Sequence, residues 1–351
     1  VSATVIHERL IRAGDGLAEQ AITWGEDRAP GRPVALTERD LRLMVLLHDV
    51  NYLSASQLAL LGWGRDSNAA CRRLRLLFAS GRLDRFRAPV RVGRSEWNYR
   101  VSRRGWQALA DRGLTSEERY RPAELHSISY AEHDLQLNGM VLHLAQAAAP
   151  PGATGLIDRM PFVWLGPRTG RIEPMPFGRP AQAPGLPPGT RLHHEQSRAG
   201  YLEPDATLIG DREGQRFAVL IEYERTRRPH KQLDRLRRYD RWLLDEWEEG
   251  RYADHVMPPT LLLLTDRDGP LPGLVQAADQ AFTAWHAPPH TTAAHGTHPA
   301  RQRTIITSRA RILRGDWTMR RPPNLPPDVR SGGSPAPRGI DYDLAALLAR
   351  L

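Results

Sequence analysis

The chain has 351 residues, 40% of them hydrophobic and 25% charged, with a formal net charge of +9. That length predicts two domains or three small modules with chain enough for real cores, and a single cysteine, Cys71, excludes an internal disulfide framework. No apolar run reaches the ~18 residues of a membrane helix, and Val1 to Gly16 is polar with no signal-peptide core, so a cytoplasmic location is expected.

Residues 1–36 form a weakly patterned extension ending in the linker-like Arg28-Ala-Pro-Gly-Arg-Pro33. Thr37-Glu-Arg-Asp40 then reads as a capping box opening a helix through Leu41, Met44, Val45 and Leu47. Ser54-Ala-Ser-Gln57 is a second box, before Leu58, Leu60 and Leu61. A third helix is predicted from Asp66-Ser67 through Leu74, Leu77 and Phe78, stopping at Gly81. Two β-like runs follow, Leu83–Phe86 and Trp97–Val101, joined by a basic loop, and a last helix covers about Arg103 to Asp111. Three helices and a basic two-stranded ribbon make a winged helix-turn-helix over 37–115. Residues 37–114 hold 15 Arg against 7 Asp and Glu, a net +8 that is nearly the whole charge of the chain. Arg65 just before the third helix, Ser67, Asn68, Arg72, Arg73 and Arg75 on it, and Arg85, Arg87, Arg91 and Arg94 on the ribbon are the expected contacts to double-stranded DNA, because phosphate neutralisation needs clustered cations beside a groove-reading helix.

A long helix is predicted over about Ser129 to Ala149 as the start of a second domain, 126–318, with an irregular Pro/Gly-rich insertion at 150–200. Residues 319–340 read as a linker and 341–351 as a short apolar helix. Within the second domain, Asp205–Ile209 and Arg216–Glu224 flank the turn Gly210-Asp-Arg-Glu-Gly214. A hairpin centred near 213–214 puts Asp205 opposite Glu222, and Glu224 shares the face of Glu222. Like charges so placed raise one another's pKa and call for a cation. Oxygen ligands suit Mg²⁺ or Mn²⁺, which would activate water and neutralise a phosphate under attack. The alternative is that one or two of these acids pair with Arg225, Arg227 or Arg228. Of the 49 basic side chains 48 are Arg, and the one Lys, Lys231, sits in the first turn of a helix begun by Pro229. By helical period Lys231 shares a face with Arg235 and Arg238 opposite the apolar stripe, which reads as a solvated face. A first-turn side chain can still lean back over the strand end.

Pro204-Asp205, Glu222-Tyr-Glu224 and the following Lys231 resemble the PD-(D/E)XK restriction-endonuclease-like fold, with the Lys displaced onto the helix. Combined with the N-terminal winged helix, the chain is similar to the replication-relaxation family and to the non-tyrosine relaxases of mobilisable plasmids. The matching pieces are Leu36-Thr-Glu-Arg-Asp-Leu41, Gly81-Arg-Leu-Asp-Arg85, Glu132-His-Asp-Leu-Gln-Leu-Asn138, Glu203-Pro-Asp205, Glu222-Tyr-Glu224 and Leu236-Arg-Arg-Tyr239. The family usually carries a Lys where this chain has Arg235. The resemblance implies an α/β (α+β) chain whose αβββαβ nuclease core has strands near 201–209, 216–224, 260–266 and 304–313. It also implies metal-dependent nicking of a plasmid origin, with Asp205, Glu222 and Glu224 holding Mg²⁺ or Mn²⁺ and Lys231 completing the catalytic set. Other mobilisation or replication proteins, or a second copy of the chain, are the partners it admits. The competing expectation is a catalytically silent origin-binding or regulatory protein using the nuclease-like domain for dimer or partner contacts; a host-defence nuclease would use the same residues.

His286, His290, His295 and His298, and His193-His194-Glu195, lack the closed spacing of a structural zinc site. Glu132 and His133 are weighed as supporting groups for the acidic site, against a plain helix surface. Cys71 is expected to pack as a small apolar residue, and Trp97, Trp106, Trp242, Trp247 and Trp285 to serve the core or a domain seam. No phosphate-cradling glycine loop is present, which argues against an NTPase.

Overall fold

Capping chemistry starts the helices of the N-terminal half. The computed structural model describes residues 23–24, 34–64, 66–87, 96–115, 119–122, 128–152, 154–172, 201–212, 214–225, 229–248, 250–283, 299–316, 318–319 and 342–343. Thr37 and Asp40 form the reciprocal box before α1 (Glu38–Asp49), and Ser54 and Gln57 repeat it before α2 (Ala55–Trp63). Asp66 caps α3 (Ser67–Ala79), its carboxylate accepting from the Ala69 amide at 2.8 Å. Gly81, at φ 72°, turns the chain out of α3. Strands β1 (Thr23–Trp24), β2 (Leu53–Ser54), β3 (Leu83–Arg87) and β4 (Asn98–Val101) form an antiparallel sheet in the order β1-β3-β4-β2, and α4 (Arg103–Ala110) follows. Leu47, Leu58, Leu61, Leu74 and Leu109 are buried in this unit, with Tyr52 edge-on to Phe86 at 5.3 Å.

The chain divides into two compact units between Gly166 and Pro167, well beyond the expected boundary at 115–126. The long helix α5 (Ile128–Ala148), expected to open the second domain, belongs to the first. The reason is polar as well as apolar. Buried Asn138 donates to the carbonyls of Val50 (3.2 Å) and Tyr52 (2.7 Å), and Gln57 donates to Leu135 O at 2.8 Å. Part of the expected irregular insertion also packs here: Leu156, Phe162 and Trp164 are buried, and β5 (Val163–Leu165) leads into Gly166, whose amide donates to Asp49 at 2.6 Å. A Cβ at Gly166 would lie 2.4 Å from the Asp49 carbonyl oxygen, so only glycine permits that approach. Residues 173–200 of the insertion lie outside the described residues.

In the second unit, β6 (Ala206–Arg212) and β7 (Gln215–Glu224) form the expected hairpin, in register from Ala206↔Ile221 to Arg212↔Gln215, with Gly214 at φ 80° in the turn. Strands β8 (Thr260–Thr265) and β9 (Thr304–Ser308) add in parallel. Between these strands run α6 (Pro229–Asp245), α7 (Leu271–Thr283) and α8 (Pro299–Arg303). Leu236, Tyr239, Trp242 and Leu243 of α6 and Ala278 and Phe282 of α7 bury one sheet face made by Ala218, Leu220, Leu261, Leu263 and Ile306. The last strand is shorter than expected. Ser308 accepts from the Arg311 amide at 3.2 Å, so 309–313 is helical, as α9 (Arg309–Leu313). The expected C-terminal helix is also corrected where it can be followed, since β11 (Tyr342–Asp343) pairs antiparallel with β10 (Thr318–Met319). Most of 319–340 and all of 344–351 lie outside the described residues, as do most of 1–36. Among the described residues no helix is long and apolar enough to cross a membrane.

Candidate functional site

Two groups of side chains stand out, one in each unit. In the first, helix α3 buries Ala70, Leu74, Leu77 and Phe78 and turns its other face outward. That outer face carries Ser67, Asn68, Cys71, Arg72, Arg75 and Leu76, all exposed. Cys71 therefore does not pack inward as expected. The hairpin β3–β4 lies beside α3, and its Arg85 guanidinium sits between the rings of Phe78 (4.0 Å) and Trp97 (4.2 Å), with Arg87 over Trp97 at 3.9 Å. Trp97 is thus a platform for arginines rather than a core residue, whereas Trp106 and Trp242 are buried as expected.

Arg73 is withdrawn from the expected DNA contacts. It faces inward to buried Asp40, donating through Nε at 3.0 Å and through Nη2, with a further bond to the Ala35 carbonyl at 2.7 Å. Burial by itself would raise the Asp40 pKa, but the bonds from Arg73 and Thr37 outweigh it and hold the carboxyl below its ordinary value. Period alone does not separate Arg73 from Arg72; the buried partner 33 positions earlier does. Arg65, Arg91 and Arg94 lie outside the described residues.

In the second unit the hairpin register brings Asp205 beside Glu222, and Asp205 Oδ2 accepts from the Tyr223 amide at 2.8 Å. Glu222 is buried. One of its oxygens accepts from the Tyr239 hydroxyl at 2.6 Å and the other from Arg235 Nη1. Burial first, and the Asp205 charge second, push the Glu222 pKa up to about 7 against the opposing pull of Arg235 and Tyr239. Two acids share one guanidinium, whose own pKa is raised chiefly by Glu222. Strand alternation puts Glu224, half-buried, on the same face at the strand end.

The expected three-carboxylate metal centre is not formed: among the described residues no group of three or more His, Cys, Asp and Glu is placed to hold a metal ion. Both oxygens of Glu222 are engaged, and the cation beside the two acids is Arg235. Arg225 lies near enough to Asp266 to help lower its pKa, and Arg227 and Arg228 are outside the described residues. Arg235 lies on the face that helical period assigns to solvent, with its side chain 42% exposed, yet it pairs with Glu222. The period placed it opposite the apolar stripe, but the stripe does not border the whole of the strand end, where Arg235 and Tyr239, one turn apart, reach back to Glu222. Lys231 is on the backbone of α6 one turn before Arg235, and its side chain lies outside the described residues.

A second polar network, which sequence reasoning missed, occupies the carboxyl ends of the parallel strands. Tyr223, on the face opposite Glu222, donates to Asp266 at 3.0 Å, and Arg309 donates to the same oxygen at 2.9 and 2.8 Å. Asp268 gathers Arg311 and Arg314, each at 3.1 Å. Burial and the Asp266 charge raise the Tyr223 pKa. The only available signal was Asp266-Arg-Asp268 directly after an apolar strand. Of the residues weighed as supporting groups, His133 pairs with neighbouring Asp134 at 3.1 Å on α5. The His286–His298 group and His193-His194 lie outside the described residues.

No family model and no curated protein matches the sequence. Among solved structures the chain is similar to the restriction endonuclease FokI, with 10% identity, a TM-score of 0.24, and an alignment covering 81% of this chain and 46% of that one. The chain thus spans less than half the length of that enzyme. The fold and sites define a mixed α/β protein of two units.

Proposed function

We propose that the chain is a double-stranded-DNA-binding protein whose N-terminal unit acts as a winged helix. The observation that carries this reading is the outer face of α3, where Asn68, Arg72 and Arg75 stand exposed beside a hairpin bearing Arg85 and Arg87. A helix with exposed amide and guanidinium groups fits the major groove, and flanking cations fit the phosphates on either side. The test is fluorescence anisotropy of the full chain with a labelled duplex across a salt series. Binding should weaken steeply with salt, and Arg72→Ala and Arg75→Ala should each lower the salt slope by about one. Binding indifferent to salt refutes the reading.

For the second unit, the charge-compensated Glu222–Arg235–Tyr239 set favours the non-catalytic alternative, an origin-binding or regulatory protein that uses this unit for contacts with a second copy or another protein. The competing reading is metal-dependent nicking at a plasmid-type origin through Asp205, Glu222, Glu224 and Lys231. One observation speaks for it: two acids are kept side by side at a strand end at a cost in stability. A supercoiled-plasmid assay with Mg²⁺ or Mn²⁺ separates the two. The favoured reading expects the plasmid to stay supercoiled, whereas nicking by the parent that is lost in Asp205→Ala establishes the hydrolytic one.

A further inference from the structure

We infer that Trp97 is a positioning residue for phosphate recognition: it fixes the guanidinium planes of Arg85 and Arg87, so the β3–β4 hairpin grips the DNA backbone by planar hydrogen bonding and not by charge alone. The inference rests on the DNA-binding reading and adds to it a residue that carries no charge.

The register explains how the group assembles. Phe86 pairs with Asn98 and Arg85 with Tyr99, and the next position along places Trp97 across from Arg87. Alternation then puts Arg85, Arg87, Trp97 and Tyr99 on one face of the hairpin, the face that Phe78 of α3 meets through Arg85. Arg85 lies 4.0 Å from the Phe78 ring centre and 4.2 Å from that of Trp97, while Arg87 lies 3.9 Å from Trp97. These are stacking distances. The Nε of Arg85 is buried and makes no hydrogen bond, and what surrounds that guanidinium is the two rings and the Tyr99 side chain rather than an acid.

The chemistry follows from the shape of the group. A stacked guanidinium directs its N–H bonds outward in its own plane, and that in-plane fork matches two oxygens of one phosphate. A free surface Arg must lose its rotamer freedom on binding, whereas a stacked one has lost it already, so the stack converts directly into affinity. A Lys has neither the plane nor the fork. Exposed Arg72 and Arg75 on the neighbouring helix show the same surface without a stack, and they provide the internal comparison.

The experiment measures Kd and its salt dependence by anisotropy for the full chain on a labelled random-sequence duplex, with the thermal midpoint of each variant alongside. Trp97→Ala should bind about tenfold more weakly with an unchanged salt slope, since the slope counts neutralised phosphates and both arginines remain. Arg87→Lys, which keeps the charge, should lose a similar factor at an unchanged slope. Trp97→Phe, which keeps a ring, should stay within about threefold of the parent. Parental affinity in Trp97→Ala or in Arg87→Lys overturns the inference. It is equally overturned if Trp97→Phe loses as much as Trp97→Ala in step with a fall in thermal midpoint, since that is the behaviour of a packing residue. Absence of duplex binding by the parent refutes the DNA reading itself and is distinguishable from all of these.

Discussion

Replacing Glu222 by Gln removes the buried one of two adjacent acids while keeping a carbonyl acceptor for the Tyr239 hydroxyl. In the parent, the folded-state pKa of Glu222 stands at about 7 against an ordinary 4.5, because burial and Asp205 together outweigh Arg235. A group raised on folding contributes its full stability below the ordinary value and loses it as the pH climbs through the folded one. At about 1.4 kcal/mol for each pH step, the displacement amounts to about 3 kcal/mol, lost between pH 4.5 and about 7. Glu222→Gln has no such term. Urea denaturation of both proteins across that range should therefore give curves that diverge: the parent weakens relative to the variant by about 3 kcal/mol as the pH rises. Parallel curves refute the reasoning. Divergence in the opposite sense means that the Arg235 pairing dominates burial and that Glu222 is held ionised.

Arg235→Leu leaves two acids without their cation and should cost about 3 kcal/mol at neutral pH, with a smaller loss in acid, both read from denaturant midpoints. Arg73→Ala should cost a similar amount, about 3 kcal/mol, because Asp40 is left buried and unpaired. Its neighbour Arg72→Ala should stay within about 0.5 kcal/mol of the parent while losing DNA affinity, so the two adjacent arginines separate stability from binding. Gly166→Ala, which sets a methyl 2.4 Å from the Asp49 carbonyl oxygen, should cost about 2 kcal/mol by thermal or urea unfolding; a neutral result would mean that the Asp49–Gly166 approach is loose.

How far these features were legible in the sequence follows the range of the interactions that make them. The boxes at Thr37–Asp40 and Ser54–Gln57 span three residues, and their side chains meet the backbone they cap whatever the rest of the chain does. The β6–β7 hairpin is nearly as local. A two-residue turn after Arg212 and a period-two pattern fix its register, and with it the neighbourhood of Asp205 and Glu222. The basic stretch that holds the proposed DNA surface is a matter of composition and was equally plain.

What compensates those acids was not legible, because periodicity ranks helix faces by apolar content and cannot say which polar face meets a strand end. Arg235 and Arg238 look alike by period, yet Arg235 reaches a buried glutamate and Arg238 donates to the Tyr201 carbonyl. The same limit hid the difference between Arg72 and Arg73, the stacking role of Trp97, and the membership of α5 in the first unit through Asn138. Each depends on a partner brought close only by folding, and a charge or amide is indifferent to sequence distance. The sequence by itself determined the helix starts, the hairpin register and the place of the positive charge. The tertiary structure alone decided which arginines face outward and that the cation beside Glu222 is a side chain of α6. Burying Glu222 beside a second acid calls for a positive charge, and α6 carries one.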